Sequence, residues 1–101
     1  MSSEKAIERY LCEQVKGLKG EAYKFVSPMR RFVLDRICVM PHGKVWFVEL
    51  KSTGQRPCEG QMREITRLVS KGHHASWADS KEDVDNIIKL MREEQERCRR
   101  G

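Results

Sequence analysis

The segment that most constrains the fold is an apolar strand ending in two opposite charges, Val45 to Lys51, with the sequence VWFVELK. Its β-branched and aromatic residues are typical of a buried β-strand. Strand side chains alternate between faces, so Glu49 and Lys51 share one face with Phe47. Burying an unpaired charge is costly, whereas a charge pair or a bound metal offsets that cost. The segment therefore predicts a charged site where a buried strand ends.

The composition limits what kind of protein this is. The chain has 101 residues, 39% of them hydrophobic and 35% charged, which predicts one globular domain over residues 1–101 rather than a disordered chain. The net charge of +5 fits a polyanionic partner, although an ordinary basic surface explains it equally well. No apolar run approaches the length of a membrane span, and no signal peptide opens the chain. Four separated cysteines without a C-x-x-C pair predict reduced thiols in a cytosolic protein.

Hydrophobic periodicity and turn-forming residues predict the element order α-β-β-β-α-β-α. The predicted elements are a helix over 3–18, strands over 21–27, 33–39 and 45–51, a helix over 57–71, a strand over 73–78, and a helix that begins after Ser80. The charged end of the chain, residues 93–101, is expected to fray. Such an order predicts an α/β fold with a mixed sheet flanked by helices.

Two carboxylates on neighbouring predicted strands, Asp35 and Glu49, are the candidate metal ligands. Mg²⁺ prefers oxygen ligands, commonly one or two carboxylates completed by water and substrate phosphate. The backbone carbonyl of Leu50 is a further candidate ligand, and Lys51 is placed to orient a water or stabilise a phosphoryl transition state. The alternative interpretation of Glu49 and Lys51 is an exposed ion pair at the end of a strand.

The metal hypothesis also constrains how the second and third strands pair. If Pro41 lies opposite Lys44 in the hairpin, Asp35 and Glu49 fall on opposite faces of the sheet and cannot share a metal ion. If the pairing shifts by one residue, the two carboxylates lie directly opposite each other on one face. A shared metal therefore predicts this second register, or a bulge within residues 33–39 that restores it, with a positive φ at Gly43.

Two helical residues are further candidates for the site. Gln61 shares a helical face with Ile65 and Leu68, so it lies on or beside a buried stripe close to the end of the third strand. The alternative for Gln61 is a structural hydrogen bond from helix to strand. Glu8 lies beside the apolar stripe of the first helix and adds a carboxylate, or else is an ordinary solvated glutamate.

Four arginines are candidate contacts for the phosphates of a nucleic acid, although each alone is equally explained as a surface charge. They are Arg30, Arg31, Arg36 and Arg56. The three histidines form no zinc-binding pattern with the cysteines, and no pattern of Ser/His/Asp or Cys/His catalysis is present.

Taken in order, these residues resemble the PD-(D/E)xK nuclease superfamily, and within it the virus-type replication-repair nuclease domain, VRR-NUC, in the short stand-alone form of phages and bacteria. The resemblance spans residues 7–90. The E-x-K tripeptide alone is weakly specific, whereas the ordered set is strongly so. The set comprises Ile7-Glu8, Lys24-Phe25, Asp35-Arg36, Glu49-Leu50-Lys51, Gly54-Gln55-Arg56-Pro57 and Gln61.

The resemblance implies a restriction-endonuclease-like α-β-β-β-α-β core followed by a C-terminal helix. It assigns the metal acids to Asp35 and Glu49, the catalytic lysine to Lys51, and further catalytic roles to Gln61 and Glu8. One departure from the family pattern is visible. The usual G-V-P before the aspartate is replaced by Phe32-Val33-Leu34, so the chain lacks the glycine and proline that bend the backbone there.

The function implied by the resemblance is a DNA endonuclease that depends on Mg²⁺ or Mn²⁺ and hydrolyses phosphodiester bonds. Stand-alone members of the family are homodimers selective for branched DNA such as four-way (Holliday) junctions, so we expect a homodimer in the cytoplasm of a bacterial or phage-infected host cell. The competing hypothesis is a non-catalytic DNA-binding module that retains the nuclease fold.

Overall fold

A four-stranded mixed sheet organises the protein, and the computed structural model describes residues 2–25 and 34–101 of it. The elements are α1 (Glu4–Gly17), β1 (Glu21–Lys24), β2 (Arg36–Met40), β3 (Lys44–Leu50), α2 (Glu59–Ser70), β4 (His74–Ala78) and α3 (Lys81–Arg100). Ser3 and Ser80 cap α1 and α3 by accepting backbone N–H groups. The predicted α/β class and the order of elements are confirmed.

The strands lie in the spatial order β1-β2-β3-β4. The first three are antiparallel, and β4 runs parallel to β3 because the connection between them passes through α2. In the β2–β3 hairpin, Met40 pairs with Lys44 and Arg36 pairs with Val48. This is the register that the metal hypothesis requires. The intervening loop turns with φ of 67° at His42 and 71° at Gly43.

The hydrophobic core fills the space between one face of the sheet and the helices α1 and α3. Its members share apolar side chains that alternate along the strands or recur every three to four residues along the helices. The most completely buried of them include Ile7, Leu11, Val15, Cys38, Val48, Leu50 and Val84. All four cysteines are free thiols in this structure. In the described ranges, no helix is long and apolar enough to cross a membrane.

From the sequence we expect the charged C-terminal segment to fray from residue 93. In the structure this segment instead continues α3 as far as Arg100. The reason is that its charges are not all solvated. Glu94 is only 8% exposed, accepting a hydrogen bond from Trp46 Nε1 at 3.1 Å and contacting His74 Nε2 at 2.5 Å. The Gln95 side chain also donates to the Leu18 carbonyl at 2.8 Å. These contacts fasten the last turns of α3 to β3, β4 and the end of α1.

We expect Glu94→Ala to lower the free energy of unfolding by about 1–3 kcal/mol, because it leaves the buried indole N–H of Trp46 without its acceptor. The measurement is thermal or urea unfolding followed by circular dichroism and tryptophan fluorescence. Glu93→Ala is the matched control, since Glu93 is exposed on the same turn. Equal stability of the two variants would contradict this account of the C-terminal segment.

Candidate active site

Glu49 is a carboxylate inserted near the end of an otherwise apolar strand. Its neighbours Val48 and Leu50 point into the core beneath α1 and α3, so Glu49 points to the opposite face of the sheet. It is only 1% exposed. Its Oε2 lies 3.2 Å from Lys51 Nζ, and its Oε1 accepts the Asp35 backbone N–H at 3.1 Å. A buried charge is thus held by one ammonium group and one backbone amide.

Asp35 lies one residue before β2, where the extended register brings it opposite Glu49. Its N–H donates to Glu49, and its carbonyl accepts the Phe25 N–H at 2.6 Å. The backbone of Asp35 is therefore held between β3 on one side and the continuation of β1 on the other. These bonds hold the Asp35 backbone in place. The chain lacks the glycine and proline that commonly precede this aspartate in the family that the chain resembles.

The carboxyl group of Glu49 holds its proton more tightly than an ordinary glutamate. Its pKa is raised from 4.5 to about 7, first because burial penalises the charged form and then because the negative charge of Asp35 is close. The ammonium of Lys51 acts in the opposite direction but only in part. A buried carboxyl group whose ionisation is disfavoured by a neighbouring carboxylate is an arrangement that a divalent cation relieves.

The donor set of this pair fits a hard cation such as Mg²⁺. It consists of carboxylate oxygens, with the backbone carbonyl of Leu50 as the remaining predicted ligand. Within residues 2–25 and 34–101, no group of three or more acidic, histidine or cysteine side chains is arranged to hold a metal ion. Two carboxylates are nevertheless what Mg²⁺ commonly takes from a protein, water and phosphate supplying the other ligands.

The structure does not bring Glu8 to this pair. Glu8 forms an ion pair with Arg36, whose side chain lies on the core face of β2 with Cys38 and Met40. Glu49 points to the opposite face of the sheet. The first-helix glutamate therefore contacts an arginine, and its predicted role as a site carboxylate has no contact to support it here.

The prediction that Arg36 contacts nucleic-acid phosphates is corrected by its position. Its side chain is 3% exposed, because it shares the face of β2 that packs beneath α1. The same alternation that puts Asp35 on the face of Glu49 puts the next residue, Arg36, on the core face. Arg30 and Arg31 lie outside the described residues, so their predicted phosphate contacts stay predictions.

Gln61 has a local partner at the start of α2. Its side-chain oxygen accepts the Cys58 backbone N–H at 3.1 Å, three residues earlier. This is a capping interaction, rather than the helix-to-strand bond considered from the sequence. Its catalytic role stays a prediction.

Arg56 is exposed, and its guanidinium lies over the ring of Trp77, 5.9 Å from the centroid. Trp77 is the β4 residue paired with Glu49 in the parallel ladder, so the two belong to neighbouring positions of the sheet. Arg56, in the loop before α2, thus contacts β4, the strand next to β3 and its Glu49. Sequence reasoning missed Trp77, although an aromatic residue in an alternating strand was a signal for it.

We expect the stability of the metal-free protein to fall as the pH rises from about 4.5 to 7. Over this range the folded state keeps the Glu49 proton that the unfolded chain releases, so unfolding loses a proton. The decrease from this residue amounts to at most about 3 kcal/mol. Glu49→Gln removes this dependence, so it is more stable than the wild type at pH 8.5 in EDTA and similar at pH 5.

The check is urea unfolding at several pH values, with Glu93→Gln as the control because Glu93 is exposed on α3. Glu49→Gln having the same pH dependence as the wild type would show that the Glu49 pKa is not raised.

Comparisons with known proteins identify the family of the chain. No protein-family model matches the sequence. The chain is 45% identical over 85 residues to "Putative nuclease p44" of Acyrthosiphon pisum secondary endosymbiont phage 1, a match that covers 84% of this chain and 90% of that protein. It superposes on a solved structure of a VRR_NUC domain with a TM-score of 0.80 and 28% identity, covering 88% of this chain and 97% of the other. The protein therefore belongs to the VRR-NUC family.

Proposed function

We propose that this nuclease domain is a divalent-metal-dependent DNA endonuclease that hydrolyses phosphodiester bonds. The observation that carries the proposal is the arrangement of Asp35, Glu49 and Lys51 at the end of β3. Two carboxylates are held close enough for one to raise the pKa of the other, and an ammonium group lies 3.2 Å from the more buried one. The similarity to a phage protein named as a nuclease supports the same reaction class.

Each residue has a distinct part in this proposal. Asp35 and Glu49, with the Leu50 carbonyl, are the oxygen donors for Mg²⁺ or Mn²⁺. When bound, such an ion supplies Lewis-acid stabilisation of the phosphoryl oxygens. Lys51 places a positive charge beside the carboxylates, where it orients the attacking water and stabilises the negative charge that develops on the phosphate. Glu49 ionises more readily once a cation offsets the charge of Asp35.

The competing function is a DNA-binding module without catalysis. A module of that kind has no use for Glu49, since a buried carboxylate whose pKa is raised lowers stability at neutral pH. The Lys51 ammonium and the Asp35 backbone N–H both contact this one side chain. The cost of keeping the group supports the catalytic interpretation.

We expect Asp35→Ala, Glu49→Ala and Lys51→Ala each to reduce DNA cleavage by at least about 100-fold, because each removes a donor or charge that acts on the reacting phosphate. DNA affinity should change only a few-fold, since phosphate contacts are spread over many basic residues. The measurements are single-turnover cleavage in Mn²⁺ and fluorescence anisotropy in Ca²⁺. Glu93→Ala serves as the control. Full cleavage by Lys51→Ala would remove the role assigned to that lysine.

For the substrate, we propose branched DNA, with four-way junctions foremost, cut by a homodimer. A two-fold dimer places two sites at a fixed spacing, which suits paired cuts on opposed strands. The support is the resemblance to short stand-alone family members, together with a net charge of +5 and an exposed Arg56 beside the sheet position of Glu49. The cytoplasm of a bacterial or phage-infected cell is the compartment where such DNA is met.

The substrate proposal predicts faster cleavage of a four-way junction than of flap, splayed, nicked or linear duplex DNA of matched sequence. Light scattering at the assay concentration should give the mass of a dimer. Equal rates on all substrates would contradict selectivity for branched DNA. A monomeric mass with full activity would contradict the homodimer.

A further inference from the structure

A buried arginine lies directly behind the candidate active site. Arg36 is 3% exposed, a degree of burial that is rare for a guanidinium unless its donors are used. One terminal nitrogen is ion-paired with the Glu8 carboxylate on α1. The other donates to the backbone carbonyl of Asp35 at 3.2 Å. Its Nε has no partner among the residues that the structure describes. The side chain therefore spans the distance from α1 to the backbone of the residue that carries a site carboxylate.

The backbone N–H and the backbone carbonyl of Asp35 are therefore both held by hydrogen bonds. Its carbonyl accepts from Arg36 and from the Phe25 N–H, and its N–H donates to Glu49. Asp35 lies one residue before β2 begins. At that position the regular ladder of hydrogen bonds between strands constrains the backbone less than it does within β2. The positively charged donor gives the stronger type of hydrogen bond. These bonds restrain the backbone from which the Asp35 side chain extends.

We propose that Glu8 and Arg36 form a clamp on the Asp35 carbonyl, and that Glu8 is a positioning residue that acts through Arg36 rather than a ligand of the metal. The clamp is defined as the Glu8 carboxylate, the Arg36 guanidinium and the Asp35 carbonyl. Glu8 keeps the guanidinium oriented, and the guanidinium keeps Asp35 opposite Glu49. The consequence for cleavage rests on the proposed function, whereas the geometry of the clamp does not.

The two roles for Glu8 differ in what they require of its side chain. A clamp needs an oxygen that accepts from the arginine, which glutamine also supplies. A carboxylate ligand also contributes a negative charge to the metal site, so replacing it with the neutral glutamine amide weakens metal binding. A clamp also makes the effects of Glu8 and Arg36 non-additive, because both residues act on the same carbonyl.

The test compares Glu8→Gln, Glu8→Ala, Arg36→Met and the double variant Glu8→Ala/Arg36→Met. We expect Glu8→Gln to retain the wild-type affinity for Mn²⁺ within about twofold, and Arg36→Met to lower kcat by about 10–100-fold, the range that partners of metal ligands show. The double variant should be no slower than Arg36→Met alone. Affinity for Mn²⁺ is measured by titration calorimetry, and kcat by steady-state cleavage with the DNA in excess.

A second readout does not depend on activity. Hydrogen exchange of the Asp35 amide, followed by NMR, reports the bond from Asp35 to Glu49. We expect this exchange to accelerate in Glu8→Ala and Arg36→Met but not in Glu8→Gln. Glu94→Gln is the control for general destabilisation, since Glu94 is a buried carboxylate that bonds Trp46 and His74 instead. It should leave kcat, Mn²⁺ affinity and the relative protection of the Asp35 amide unchanged.

Three results would overturn the clamp. They are a loss of Mn²⁺ affinity in Glu8→Gln equal to that in Glu8→Ala, a double variant whose loss is the product of the single losses, and an unchanged Asp35 amide in Arg36→Met. A wild type that neither binds Mn²⁺ nor cleaves DNA would instead refute the proposed function. In that case the exchange of the Asp35 amide would still decide the clamp.

Discussion

The burial of Glu49 is the interaction on which the rest of the site depends. A carboxylate that is 1% exposed is stable in a folded protein only if its surroundings replace the water it has lost. Here an ammonium group and a backbone N–H do so in part, and the raised pKa measures what they leave uncompensated. A cation bound to both carboxylates would offset that remaining deficit, as the proposed metal-dependent function requires.

The two faces of the sheet divide the work between stability and chemistry. The face beneath α1 and α3 carries the core, and it supplies most of the apolar burial that stabilises the domain. The opposite face carries Glu49 at the end of β3. Arg36 connects the two, because its side chain is on the core face while its bond reaches the backbone of Asp35. A rigid core can in this way fix the position of a carboxylate that is not part of it.

Local patterns in the sequence were sufficient for the elements and for the principal carboxylates. The alternation of Val45 to Lys51 predicts β3 and the charged face on it, and the register follows from requiring Asp35 and Glu49 to share that face. Long-range partners were not accessible in this way. Nothing local distinguishes Glu94, held by Trp46 and His74, from its exposed neighbours on a charged helix, so the segment was expected to fray.

By itself, the sequence determined the α/β class, the hairpin and the acidic pair with its lysine. These follow from periodicities of two and 3.6 residues, which depend only on nearby positions. The partners of Glu8 and Arg36 were decided by the tertiary structure alone. Whether a charged side chain meets a metal site or an arginine depends on which elements pack together, and that is set by the whole core rather than by any local segment. The same packing placed Trp77 of β4 beside Glu49 of β3. These two parallel strands are neighbours in the sheet, although α2 lies between them along the chain.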